Sequence, residues 1–175
     1  MICYLVRHGK DDETIRGGWN DAPLTEQGIG QVNELARMLA SDPKLNIVKI
    51  FSSDLHRAKQ TAEIISRKTG VSIAYLPQFK EVNNGVLAGM KNTEALMKYP
   101  SLFWSTLEWD TCYPDGESPH MFFDRIFNAW DEFINSIRNQ EGDVILVTHG
   151  GVINIILHIV NGLEYSNKSK PFPAK

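Results

Sequence analysis

Four apolar runs, three of which stop at arginine or at serine or histidine, constrain this chain more than any other feature. Ile2, Cys3, Tyr4, Leu5 and Val6 form an unbroken run without alternation, the pattern of a strand buried on both faces. The run ends at Arg7-His8-Gly9. Ile47-Val48-Lys49-Ile50-Phe51 reads as a second strand and leads through Ser52-Ser53-Asp54 to Arg57. Residues 71–76 read as a third strand. Val144-Ile145-Leu146-Val147 reads as a fourth and ends at Thr148-His149-Gly150-Gly151.

Helical periodicity fills the intervals. Thr25 is placed as an N-cap before Ile29, Val32, Leu35, Ala36 and Leu39, which share one helical face to about Ala40. A second helix is expected to start at Ser52-Ser53-Asp54 and to end at Gly70. Ser118-Pro119 reads as a cap with proline at the first helical position. Phe123, Ile126, Phe127, Trp130, Phe133, Ile134 and Ile137 then form one apolar face. A last helix is expected from about Val152 to Val160. Strands alternating with helices predict an α/β fold with a mainly parallel sheet. The 175 residues suit one domain, residues 1–175, with the irregular stretch at about 78–120 as a lid-like insert.

Composition narrows the function classes. Net charge is −3 and the pI about 5.9, and residues 1–60 balance eight Lys/Arg against eight Asp/Glu. A nucleic-acid binder usually carries a basic excess, so no such partner is expected. No apolar stretch reaches a membrane span and no leader pattern opens the chain, so a cytoplasmic protein without a membrane partner is the expectation. Two cysteines, Cys3 and Cys112, make no disulfide framework. The five histidines lack metal-ligand spacing, so neither metal nor cofactor is expected. The oligomeric state stays open.

In an open α/β sheet, ligands bind beyond the carboxyl ends of the strands. Arg7, His8, Arg57 and His149 would therefore converge on one edge. Arginine forks match phosphate oxygens and stay charged. Their charge disfavours protonating a nearby imidazole, and a neutral imidazole can be a nucleophile. Glycines after each histidine would let backbone N–H groups approach an anion. The residues thus outline a phosphate pocket with a histidine able to take the phosphoryl group.

Leu5-Val6-Arg7-His8-Gly9, Pro23-Leu24-Thr25, the stretch from Ser52-Ser53-Asp54 through Arg57-Ala58-Lys59-Gln60-Thr61-Ala62, and Thr148-His149-Gly150-Gly151 together resemble the histidine phosphatase superfamily, also called the phosphoglycerate mutase-like family. The resemblance implies a three-layer α/β sandwich. It implies His8 as the nucleophile that becomes phosphohistidine, with Arg7, Arg57, His149 and Gly150 around the phosphate. Glu81, in Phe79-Lys80-Glu81-Val82, matches the acid that protonates the leaving oxygen and then activates water. The expected partner is a small phosphorylated metabolite.

Some positions depart from the family pattern. Lys10 stands where Glu, Gln or Ser is usual, and Thr14 where a pocket Asn is usual. Lys10 or Arg16 is expected to take over a phosphate or substrate contact. Glu94 and Glu117 lie in the same insert and rival Glu81; Glu117, in Pro114-Asp115-Gly116-Glu117-Ser118, is also open between a turn-and-cap role and substrate contact. The chain is short for the mutase branch, and the family's usual last strand is hard to find after Gly162. Phosphomonoester hydrolysis is therefore expected, with mutase-type phosphoryl transfer or a non-catalytic phosphate-binding regulatory module as alternatives.

Overall fold

The computed structural model describes residues 1–172. Four strands, β1 (Cys3–Arg7), β2 (Ile47–Ser52), β3 (Ile73–Tyr75) and β4 (Asp143–Thr148), pair in parallel in the order β1-β4-β2-β3. Their side chains alternate between two cores, as the strand period demands. Val144 and Leu146 of β4 face one core, and Ile145 and Val147 face the other. Cys3 and Leu5 share the first core, and Tyr4 and Val6 the second. Burial pushes the Cys3 thiol up to about 11, which keeps it protonated at neutral pH.

Helices cover both faces and make three layers. Helix α1 (Glu26–Ser41) and helix α2 (His56–Thr69) pack on one side through Val32, Ala36, Ala58, Ala62 and Ile65. Thr25 caps α1: its Oγ1 accepts the Gly28 N–H at 3.1 Å. Gly70 ends α2 at φ 76°, a left-handed conformation that glycine adopts without a Cβ clash. A short helix, α3 (Asn92–Lys98), lies in the irregular stretch. Helices α4 (Pro119–Ile137) and α5 (Gly150–Val160) cover the other side. Ser118 Oγ accepts the Met121 N–H at 3.1 Å and caps α4. Among the described residues no helix is long and apolar enough to cross a membrane.

Three sequence expectations shift. On α4 the fully buried stripe is Phe122, Ile126, Ala129, Phe133 and Ile137, while Phe127 is 47% exposed. Phe127 lies five residues, or about 140° round the helix, from Phe122, which carries it off the stripe. Helix α2 starts at His56 because Ser52 still belongs to β2 and the Ser53 N–H donates to Val147 O at 2.9 Å. Helix α5 starts earlier than expected, at Gly150.

Residues 78–120 hold α3, short 3₁₀ turns and a third apolar cluster of Leu87, Ala95, Leu107 and Tyr113. Trp104 packs against that cluster and stacks on Tyr113, with ring centroids 6.4 Å apart. Trp109 instead joins the main core beside Phe123 and Tyr165. His158 is packed: it is buried, its ring lies edge-on to Tyr165, and its Nδ1 hydrogen-bonds Asn154 O.

Candidate active site

The carboxyl ends of β1, β4 and β2 lie side by side, so the residues that follow these strands meet. His8 continues the ladder, its N–H donating to Thr148 O at 3.0 Å. Its ring centroid lies 5.1 Å from that of His149. Arg57, one residue into α2, reaches both the histidine and the loop before α1. It is 2% exposed. Its Nε donates to His8 Nε2 at 3.2 Å, Nη1 to Asn20 O at 3.1 Å and Nη2 to Gly18 O at 2.9 Å.

These partners determine the His8 tautomer. His8 Nδ1 lies 2.8 Å from Gly9 O, which can only accept, so Nδ1 carries the proton. Arg57 Nε–H can only donate, so Nε2 presents its lone pair. Burial, followed by the charges of Arg57 and Arg7, lowers the His8 pKa to about 4; the Gly9 bond and Asp11 pull the other way. Nε2 is therefore unprotonated at neutral pH.

His149 is fully buried and shares a 2.8 Å hydrogen bond between Nε2 and Ser53 Oγ. Its Nδ1 is buried with no partner among the described residues. Burial, Arg57 and His8 hold this imidazole well below its usual range, so it too is neutral. The Ser53 hydroxyl can donate to Nε2, and Nδ1 then carries a hydrogen for an anionic oxygen.

Glu81 reaches the site from the segment after β3. Its Oε2 accepts the Gly151 N–H at 3.0 Å in the first turn of α5, and Oε1 accepts the Val82 N–H at 3.0 Å. Each oxygen keeps a second lone pair for a proton. A carboxylate also suits the positive end of the helix. A Cβ on Gly151 would come within 2.3 Å of Glu81 Oε1, so the glycine permits this approach. The rival Glu94 pairs with Lys98 on α3, and Glu117 pairs with Arg125 of α4; neither carboxylate has a bond to His8 or His149.

The remaining candidates divide. Arg7 ends β1 with its guanidinium beside Gly150, where a Cβ would lie 3.7 Å from Arg7 Nε. Gly150 opens α5, whose N-terminus has no side-chain cap. Lys10 Nζ pairs with Glu13 at 3.2 Å and bonds none of the site residues. Arg16 lies over the Phe103 ring, 5.1 Å from its centroid, with a buried Nε that has no partner among the described residues. Two expected anion donors are otherwise engaged. Gly9 N–H donates to Thr61 Oγ1 and Gly151 N–H to Glu81, because local acceptors already lie against both.

Several residues of the site had no functional reading in the sequence. Asn20 and Gly18 hold the Arg57 fork, and Asp11 Oδ2 lies 3.4 Å from Arg57 Nε. Thr14 instead closes a surface turn on Asp12. Ser53 lay within the quoted motif, and Thr61 stands one helical turn after Arg57; both positions were available signals. Among the described residues no three His, Cys, Asp or Glu side chains gather as a metal-ligand set would.

The geometry can bind a phosphoryl group between two arginines and two neutral histidines. Comparison with known proteins agrees with that chemistry. The family model for the histidine phosphatase superfamily (branch 1) matches residues 3–172. The protein named probable phosphatase C1687.21 of Schizosaccharomyces pombe is 32% identical over 162 residues, covering 89% of this chain and 71% of that one. The protein named probable phosphoglycerate mutase GpmB of Escherichia coli is 33% identical over 171 residues, covering 93% and 76%. Among solved structures, a mycobacterial glucosyl-3-phosphoglycerate phosphatase superposes with a TM-score of 0.76 at 25% identity, covering 91% of this chain and 79% of that one. This chain belongs to the histidine phosphatase superfamily.

Proposed function

We propose that the protein hydrolyses a small phosphomonoester through a phosphohistidine on His8, without a metal. The carrying observation is the forced tautomer of His8: Nδ1 is tied to Gly9 O, and the Nε2 lone pair lies beside Arg57. The entering phosphate takes over the Arg57 Nε–H and frees that lone pair. Arg7, Arg57 and His149 Nδ1–H neutralise the equatorial oxygens, with Gly150 at the open N-terminus of α5. Nε2 then forms a bond to phosphorus as the ester P–O bond breaks, and protonated Glu81 gives its proton to the leaving oxygen. In the second half, the Glu81 carboxylate takes a proton from water, the water oxygen bonds phosphorus and the P–N bond breaks. Phosphate leaves and Glu81 is again protonated. Such an acid contributes ~10²–10⁴-fold.

We further read residues 1–175 as one domain in which the 78–120 insert rims the site. The bridge between Ile15 and Lys91 and the bond from Trp19 Nε1 to Glu81 O support this. Arg16, with its unpartnered Nε, is the stronger candidate for a substrate contact beyond the phosphate, and Lys10 the weaker.

A panel of phosphate esters assayed with wild type and His8→Ala tests the reading. Phosphate release by wild type alone, with an acid-labile phosphoenzyme trapped on His8, is expected. Release by neither protein across the panel overturns it. The relative named as a phosphoglycerate mutase supports a second reading, transfer between two hydroxyls of one substrate. Interconversion of phosphoglycerate isomers faster than phosphate release would establish that reading instead.

A further inference from the structure

Glu81 sits in a segment with no regular secondary structure, yet it must hold a carboxyl within hydrogen-bond reach of a leaving oxygen. Backbone carbonyls in such a segment need partners from elsewhere. Here side chains supply them in turn. Arg125 Nη1 donates to Gln78 O at 2.8 Å and to Lys80 O at 3.0 Å, and Nη2 donates to Glu81 O at 3.1 Å. Thr148 Oγ1 donates to Phe79 O at 2.8 Å. Every carbonyl from Gln78 to Glu81 is thereby held by a side chain from α4, β4 or the Trp19 loop.

The same guanidinium closes on Glu117 in a fork, Nε to Oε1 at 2.7 Å and Nη2 to Oε2 at 2.8 Å. Glu117 in turn grips the far side of Glu81: its Oε2 accepts the Asn83 N–H at 2.8 Å, and its own N–H donates to Asn83 O at 2.7 Å. All five N–H directions of the Arg125 fork are engaged. A lysine could not reproduce this, because its donors radiate from one point.

We propose that the Arg125–Glu117 pair is the positioning device that aims Glu81, clamping the main chain before and after it so that its carboxyl meets the leaving oxygen. The proposal rests on the reading of Glu81 as general acid. It makes Glu117 a positioning residue, its Oε1 held by Arg125 and its Oε2 shared between Arg125 and the Asn83 N–H. Neither Arg125 nor Glu117 has a side-chain bond to His8, His149 or the Glu81 carboxyl.

Leaving-group dependence separates positioning from plain structural support. kcat/KM for aryl phosphates, from phenyl phosphate to 2,4-dinitrophenyl phosphate, reports phosphoenzyme formation alone. A poor leaving group needs the acid and a good one does not. Glu81→Gln is expected to lose ~10²–10⁴-fold on phenyl phosphate and little on the dinitrophenyl ester. Arg125→Gln and Glu117→Gln should show the same tilt, at about 10–100-fold on phenyl phosphate, the cost of misplacing a group by about an ångström. Arg125→Lys should fall between wild type and Arg125→Gln. A tilt for Glu81→Gln with an even loss, or none, across the series for both Arg125→Gln and Glu117→Gln overturns the clamp and leaves the acid in place. No tilt for Glu81→Gln removes the Glu81 reading and the clamp with it. Where Arg125→Gln does not fold, Glu117→Gln decides, with its folding checked by thermal unfolding.

Discussion

A carboxylate beside an arginine proposed to bind phosphate is an odd neighbour, and Asp11 is one. Its Oδ2 lies 3.4 Å from Arg57 Nε, with the side chain only 18% exposed. Its charge balances the buried guanidinium, and on the proposed mechanism it would repel an arriving phosphate dianion. Asp11→Asn keeps the shape and removes the charge. Inorganic phosphate and vanadate should then inhibit about tenfold more tightly, a modest share of the ~4 kcal/mol that two unit charges exert at 4 Å near a protein surface. Weaker inhibition would mean that Asp11 chiefly orients Arg57. Nothing in the sequence marked Asp11, because an acid in an Asp11-Asp12-Glu13 run reads as a solvated surface. The meeting of His8, Arg57 and His149 was readable because strand ends in an α/β fold converge on one edge. Asn20 was not, because it reaches Arg57 through a loop whose path no periodicity encodes.

Elements place these residues through two close approaches. Gly28 in α1 lies against the main chain of Lys10, where a Cβ would come within 2.1 Å of Lys10 O, so α1 sits directly on the loop that leaves β1. Gly151 does the same for α5 and Glu81. Gly151→Ala separates stability from catalysis. Alanine is favoured over glycine within a helix by ~1 kcal/mol, which offsets part of the local strain. The new methyl must nevertheless displace the Glu81 carboxyl. The methyl would also lie 3.2 Å from Phe122 Cε1, so the melting temperature should fall modestly while kcat/KM for phenyl phosphate falls about 10–100-fold. Equal activity in Gly151→Ala would show that Glu81 works from another position. Helix periodicity also explains what was and was not legible in α4. The stripe from Phe122 to Ile137 set the helix against the sheet, but reading its phase from the aromatic residues put Phe127 on the wrong side. Arg125 stands three residues after Phe122 and four before Ala129, on the inward edge of that stripe. A charge at that spacing was a visible sign of a buried partner, though not of which one.

On the scale of the whole molecule, the net charge of −3 conceals a buried cationic cluster that holds two histidines neutral. That has a consequence for stability, with a definite sign. An unfolded histidine titrates near 6.5, whereas burial and Arg57 lower the His8 pKa to about 4 and hold His149 well below its usual range. Between those values the unfolded chain binds protons that the folded one refuses, so falling pH favours unfolding. The contribution is intact above about pH 6.5 and is lost progressively down to about pH 4. His8→Asn removes one such group, and its stability should decline more gently with acid than wild type. Carboxylates distant from His8 cancel in the difference. The separation between the two curves can change by at most about 1.4 kcal/mol per pH unit, the value for one proton. Urea unfolding at half-unit steps from pH 7.5 to 4.5 measures it. Parallel curves would mean that His8 takes up its proton in the folded state as readily as in the unfolded chain. Its lone pair would then not be reserved for phosphorus by burial and by Arg57.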